Sequence, residues 1–304
     1  EFVLGIPSSF WNNLETRYRE RLALAEATDQ KQREAGWIDQ FPVREMVRQN
    51  ILSQSDSKAD QMDELLRFFA VSSPSGWENY WQGAAVAFRQ SSAFAASPGA
   101  VSVWLRQGEL AAAKISCDPF DAGRLRSALP DIRALTLLDP LGFQERLESI
   151  LRSCGVALVF TRELPGTRLS GATRWASSEK ALVQLSLRHR NDEEFWRTVF
   201  HELSHVLSGN KRQVYIHEIG RASGLDQDEV DAEHFANNQL VPDAEYRRIA
   251  SIGDLTPDIV ETFAAQLGIS PGVLLGRLQR GGRIPWSSMN YLKRQFRWPE
   301  ETDR

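Results

Sequence analysis

The spacing of apolar positions changes character along the chain. From Ser9 to about Ala27, Phe10, Trp11, Leu14, Tyr18, Leu22 and Ala25 recur every three or four residues among Arg and Glu. That period predicts an amphipathic helix in need of a partner surface. Phe41-Pro42 punctuates the chain, Val43 to Leu52 resumes a helical period, and Ser53 to Asp60 reads as a linker. Gln61 to about Leu138 is predicted mostly helical, carried by Leu65, Leu66, Phe68 and Phe69, then Trp77 to Phe88, then Val101 to Leu110. The breaks fall at Ser73-Pro74-Ser75-Gly76 and Ser97-Pro98-Gly99, and no pattern in this half carries chemistry.

Beyond Pro140 shorter elements enter. Phe143 to Cys154 reads as a helix ended by Gly155, and Val156 to Phe160 as a short buried strand. A turn at Pro165-Gly166 leads to Gly171 to Trp175; Ala181 to Leu187 then alternates, with Leu182, Gln184 and Ser186 between apolar neighbours. These predict strands of one small sheet. Asn191 to Ser208 has an N-cap candidate in Asn191 or Asp192, acids in its first turn and a stop at Gly209-Asn210, the signature of a helix. A further helix runs from about Asp226 to Leu240 before Pro242, and Ile259 to Arg280 reads helix, turn, helix. The expectation is an α+β fold, mostly helical, with linker helices over 1–55, a helical domain over 56–138, a core with the small sheet over 139–245 and a helix-turn-helix-like segment over 246–304.

Composition narrows the class. With 304 residues, 42% hydrophobic and 25% charged, the chain is that of a folded globular protein. Lys and Arg number 36 against 40 acids, 36 − 40 = −4, so the whole chain is not a polyanion binder. The two cysteines, Cys117 and Cys154, form no CxxC pair, which argues against a disulfide scaffold or a cysteine-built zinc finger and for a reducing cytoplasm. No run of about 18 apolar residues and no signal-peptide pattern occurs, so neither membrane span nor export is expected.

The chemistry sits on the capped helix, in His201-Glu202-Leu203-Ser204-His205. Histidines at i and i+4 share a helical face about 6 Å apart and can bind one zinc ion, while the intervening Glu202 is rotated to reach a water beside it as general base. A catalytic zinc site needs a third protein ligand and one open position. The metzincin pattern is excluded, because Ser208 and Lys211 stand where Gly and His are required. A Glu from a second helix remains, and Glu229 fits it, sharing a face with Ala232, Glu233 and Ala236; the alanines permit close helix approach. Glu233, one turn on, is the candidate partner for the distal nitrogen of a ligand histidine. His217, Asp226, Asp228, Asp231 and His234 are weaker alternatives for the third ligand. Tyr215 and His217 are the candidate oxyanion stabilisers by position, and the strand carrying Leu182, Gln184 and Ser186 is a candidate for binding an extended peptide by strand addition.

At this point the sequence resembles the ImmA/IrrE family of zinc metallopeptidases. The resemblance rests on His201 to Leu207, on the Glu229 to Gln239 helix with Phe235-Ala236, and on Leu240-Val241-Pro242. It extends to Trp175, Gln184 to Arg188, Phe195-Trp196, Ile269 to Gly272 and Gly276 to Gln279, covering about Leu135 to Trp298. Leu4 to Glu15 resembles the segment after the helix-turn-helix in HigA-like regulators of the XRE class, which would place a DNA-binding domain upstream of Glu1. Glu233 departs from the family, where Asn or Asp is more frequent.

The resemblance implies a zincin-like peptidase core over 139–245 and cleavage of a protein substrate, an XRE-type transcriptional repressor or the chain's own fused regulator, in a stress or mobile-element response. It leaves oligomerisation open and gives no reason to expect a membrane partner. The alternative is a DNA-binding regulator whose metal site senses or stabilises. DNA would then be met by the upstream domain or by the basic run of Arg277, Arg280, Arg283, Lys293, Arg294 and Arg297, interleaved with Trp286, Tyr291, Phe296 and Trp298.

Overall fold

A computed structural model describes residues 7–87, 97–167, 169–186, 191–211, 213–218 and 227–296. Asp226, Leu4 to Ile6, Leu187-Arg188, Arg297 and Trp298, all named above, lie outside the described residues. The chain is α+β and mostly helical, with a small four-stranded mixed sheet. It divides into two compact units, Glu1–Gln82 and Gly83–Arg304, so the division falls inside the segment expected as one helical domain over 56–138.

In the first unit, α1 (Ser8–Glu34) leads through a 3-10 turn (Ala35–Gln40) to α2 (Val43–Arg48), α3 (Lys58–Phe69) and α4 (Pro74–Ala87), which runs across the boundary. The linker ends earlier than its polarity suggests, because the Ser57 hydroxyl accepts from Asp60 N and caps α3 from Lys58 onward. Phe41, Phe69, Trp77 and Trp81 form a buried aromatic core, with Phe41 and Trp77 edge to face at 5.2 Å. Phe10, Trp11, Leu14, Tyr18 and Leu22 of α1 are exposed.

The second unit opens with α5 (Pro98–Ala113), α6 (Ala122–Ala134) and α7 (Pro140–Ser153). Strands β1 (Val156–Phe160), β2 (Leu169–Ser177) and β3 (Lys180–Leu185) follow, then α8 (Asp192–Ser208) and β4 (Tyr215–Glu218). The unit closes with α9 (Gln227–Leu240), α10 (Asp243–Ala250), α11 (Pro257–Leu267) and α12 (Pro271–Arg280). The sheet order is β1-β3-β2-β4, with β1 parallel to β3 and the other pairs antiparallel. Its two faces are covered differently. Ala181, Val183 and Leu185 face the main core with α7 and α8, while Leu182 packs with Ala112, Ala157 and Val159.

This topology corrects the peptide-strand expectation. Strand β3 is paired on both edges, so Leu182 and Gln184 offer no free backbone to an added strand, and Ser186, just past its end, gives its N–H to Ser170 O. All three are buried; Gln184 Nε2 donates to Trp104 O at 2.6 Å and Ser186 Oγ to Leu169 O at 2.6 Å. Trp175 lies on β2 beside a bulge, half-buried, edge to face with Phe120 at 4.8 Å and beneath Lys211 Nζ at 4.5 Å.

The C-terminal hairpin is part of the same core rather than a separate domain. Helices α11 and α12 cross at 112°, turned by Gly268 at φ 67°, but α12 buries Gly272 to Gly276, Leu278 and Gln279 against α8 and its neighbours. A recognition helix must be exposed to enter a groove, and this one is not. The basic run meets protein partners: Arg277 lies over the Tyr246 ring and 3.3 Å from Asp243, Arg283 donates to Ile252 O at 3.0 Å, and Arg294 Nη1 donates to Leu137 O at 2.8 Å. Arg280 and Lys293 both face the buried carboxylate of Glu193. Among the described residues no single helix is long and apolar enough to cross a membrane.

Candidate metal centre

Helix α8 is fixed at both ends by local chemistry. The Asn191 side chain accepts from Glu194 N at the start, and Gly209 at φ 73° closes the end in the left-handed region that a side chain would strain. Between them Phe195, Trp196, Val199, Phe200, Leu203 and Val206 are buried, so the helix is packed on most of its circumference. Its histidines therefore point into protein, with His201 and His205 0% and 2% exposed.

Their Nε2 atoms stand 3.1 Å apart. Ala232 and Ala236, buried where α9 meets α8, allow the close approach that brings Glu229 to the same point. Its Oε2 is 3.2 Å from His201 Nε2 and its Oε1 3.2 Å from His205 Nε2. Among the described residues, His201, His205 and Glu229 form a group that could bind a metal ion. The fit is chemical as well as geometric. Two imidazole lone pairs cannot face each other at this separation without a proton or cation between them, and neighbouring ligands of a tetrahedral ion with bonds of about 2.0–2.1 Å stand roughly 3.3 Å apart.

Without an ion the cluster must hold protons. Burial works against charge on His201, yet Glu229, Glu233 and the Glu202 carboxyl outweigh it and raise its pKa to about 9. Burial likewise opposes ionisation of Glu229, but the two histidines hold its pKa far below the usual carboxylate range. Glu233, opposed by burial and favoured by His201 and Arg197, drops to about 2.

Glu202 is fully buried, and that burial pushes its carboxyl pKa up. Its Oε2 accepts from Thr173 Oγ1 at 2.7 Å while Oε1 is buried without a hydrogen-bond partner. Gly171, one step along the same face of β2, is required here: a Cβ would stand 2.4 Å from Glu202 Oε1. Gly171 and Thr173 thus hold the carboxylate from the sheet. Neither was foreseen as a site residue, although a glycine inside a strand was the available signal.

The remaining candidates separate. Tyr215 stacks its ring on His205 at 3.9 Å and donates its hydroxyl to Asp228 Oδ2 at 3.2 Å, so it walls the site with its hydroxyl turned to that acid. His217 packs against the His201 ring at 4.2 Å, and burial followed by the charge on His201 holds its pKa well below the ordinary value, leaving it neutral. Glu233 Oε2 approaches His201 Nδ1 to 3.8 Å, too long for a hydrogen bond, while bonding Arg197 at 2.9 Å. Of the alternative third ligands, Asp228 serves Tyr215, Asp231 accepts from Gln227 at 2.7 Å, and His234 is exposed beside Asp243. Compared with known proteins, the chain matches no protein-family model and no curated protein.

Proposed function

We propose that this chain is a zinc-dependent endopeptidase with a zincin-like core of the ImmA/IrrE kind. The observation that carries the reading is the convergence of two buried imidazoles and a half-buried carboxylate beside a further buried side chain, Glu202, that belongs to no ligand set and carries an unpartnered oxygen. Two imidazoles and one carboxylate form the donor set of a hydrolytic zinc site with one position left open. His201, His205 and Glu229 would hold the ion. When bound, it would supply Lewis-acid polarisation of a peptide carbonyl and acidify a water.

The protein's own groups do the rest. Glu202, held by the Thr173 hydroxyl, takes the proton of the attacking water and returns it to the leaving amine nitrogen; the burial that raises its pKa strengthens it as a base. Neutral His217 has a ring N–H to give to the tetrahedral oxygen, the role for which it is better placed than Tyr215. An extended substrate backbone fits along β4, which carries Tyr215 and His217 and has no strand on its other edge among the described residues. The substrate class, an XRE-type repressor or the chain's own regulator, rests on the sequence resemblance. The two free thiols, Cys117 and Cys154, suit a reducing cytoplasm.

The test is co-expression with XRE-type repressors, wild type against Glu202→Gln, read by intact mass and zinc content. Both proteins should hold about one zinc, and cleavage by the variant should fall by roughly 10²- to 10⁴-fold, the usual loss with a general base. Equal cleavage by the two would refute the mechanism. Salt-sensitive DNA binding with no cleavage by either would instead support the regulator.

A further inference from the structure

Five polar side chains from three helices close a ring behind the candidate metal site. Arg197 Nη1 on α8 bonds Glu233 Oε2 on α9 at 2.9 Å, and Asn237 Nδ2 bonds Glu233 Oε1 at 3.1 Å. Arg280 Nη2 on α12 donates to Asn237 Oδ1 at 3.2 Å, and its Nη1 closes on Glu193, whose Oε1 lies 3.9 Å from Arg197 Nε. Lys293 Nζ stands 3.7 Å from the other Glu193 oxygen. Glu193 is 1% exposed, and α12 passes over it at Gly276, where a Cβ would collide with its side chain.

The consequence falls on Glu233. Each of its oxygens accepts a hydrogen bond, Oε2 from Arg197 and Oε1 from Asn237. His201 Nδ1, buried and without a hydrogen-bond partner, has Glu233 Oε2 facing it at 3.8 Å. A histidine that ligates through Nε2 is oriented by whatever its Nδ1 meets. We propose that Arg197 is the positioning residue of the metal centre: it fixes the carboxylate of Glu233 opposite His201 Nδ1, with the buried Glu193 charge 3.9 Å from its Nε. The inference rests on the metal-site reading above and adds a residue that touches neither the ion's ligand atoms nor a substrate.

The experiment uses the full chain loaded with cobalt(II), following its visible d–d spectrum and its affinity by chelator competition, with denaturant stability of the metal-free proteins measured alongside. Arg197→Gln and Glu233→Gln should each weaken cobalt binding by roughly 10- to 100-fold and alter the spectrum. The double variant should lose no more than the worse single one, because both act on one contact. Arg197→Lys, which keeps charge without the fork, should recover part of the affinity, and it carries the test if Arg197→Gln does not fold. Folded Arg197 variants with wild-type affinity and spectrum, or losses that simply add, would overturn the proposal. A wild type that binds no stoichiometric cobalt would instead overturn the metal-site reading, and this inference with it.

Discussion

At the N-terminal end of α8 the carboxylate of Asp192 is fully buried, and both oxygens accept hydrogen bonds, Oδ2 from Ser270 Oγ at 2.7 Å and Oδ1 from Arg294 N at 3.1 Å. Toward the other end, His201 Nδ1 and Glu202 Oε1 are equally buried and have no hydrogen-bond partner, and the two Nε2 atoms face each other at 3.1 Å. Burial depth is the same; the satisfaction of the Asp192 carboxylate on one side and of these two groups on the other is opposite. Buried polar atoms are nearly always paired, because an unpaired one costs about 1–3 kcal/mol. The first end therefore reads as architecture, tying α8 to the C-terminal hairpin. The second reads as a place where stability is given up so that a ligand can complete the set.

The largest effect should come from breaking the second end. His201→Ala, His205→Ala or Glu229→Ala should each abolish stoichiometric zinc uptake, measured by metal analysis after dialysis, while leaving cooperative unfolding intact, since the surrounding core of Trp196, Phe200 and Leu203 is apolar and fully buried. Full occupancy in Glu229→Ala would move the third ligand elsewhere, His217 being nearest to His201 by its ring contact.

Breaking the first end should do the reverse. Asp192→Ala leaves the buried Ser270 hydroxyl without its acceptor, at about 1–3 kcal/mol, and the part-buried Arg294 amide as well, at a smaller cost. The cost is lessened because burial already raises the Asp192 pKa and disfavours its charge. A loss of about 3 kcal/mol in denaturant unfolding is expected, with zinc stoichiometry unchanged. An Asp192→Ala protein as stable as wild type would show that the contacts at this end are dispensable.

The contrast between the ends also marks what could be read from the sequence. Spacing within one helix is local, so His201, Glu202 and His205 announce themselves, and the small face of Ala232 and Ala236 makes Glu229 a credible partner a helix away. Contacts between elements leave no such trace. Nothing in the alternation of Ala181 to Leu187 distinguishes an edge strand from a central one, and β3 became central only because β1 pairs with it in parallel. The basic run from Arg277 reads as a patch in one dimension, yet Asp243 and Glu193, far off in sequence, take up its charge. Thr173 holds Glu202 across a strand-to-helix contact that no motif encodes.

The smallest expected effect sharpens the difference in protonation between the ends. His201 has its pKa raised to about 9 in the metal-free protein, above the ordinary histidine value of about 6.5. The sign follows from linkage. This group stabilises the metal-free fold fully below pH about 6.5, and the contribution is lost as pH rises through about 9. Zinc requires the neutral imidazole, so at pH 7 its binding should expel about one proton from His201, Glu229 being already ionised. Affinity should then rise about tenfold per pH unit, roughly 1.4 kcal/mol, from neutrality until the histidine deprotonates on its own. Titration calorimetry in buffers of different ionisation enthalpy measures the proton count directly. A binding enthalpy independent of the buffer at pH 7 would mean that His201 is already neutral, and that the ligand end of α8 holds its unpaired atoms without a proton to bridge them.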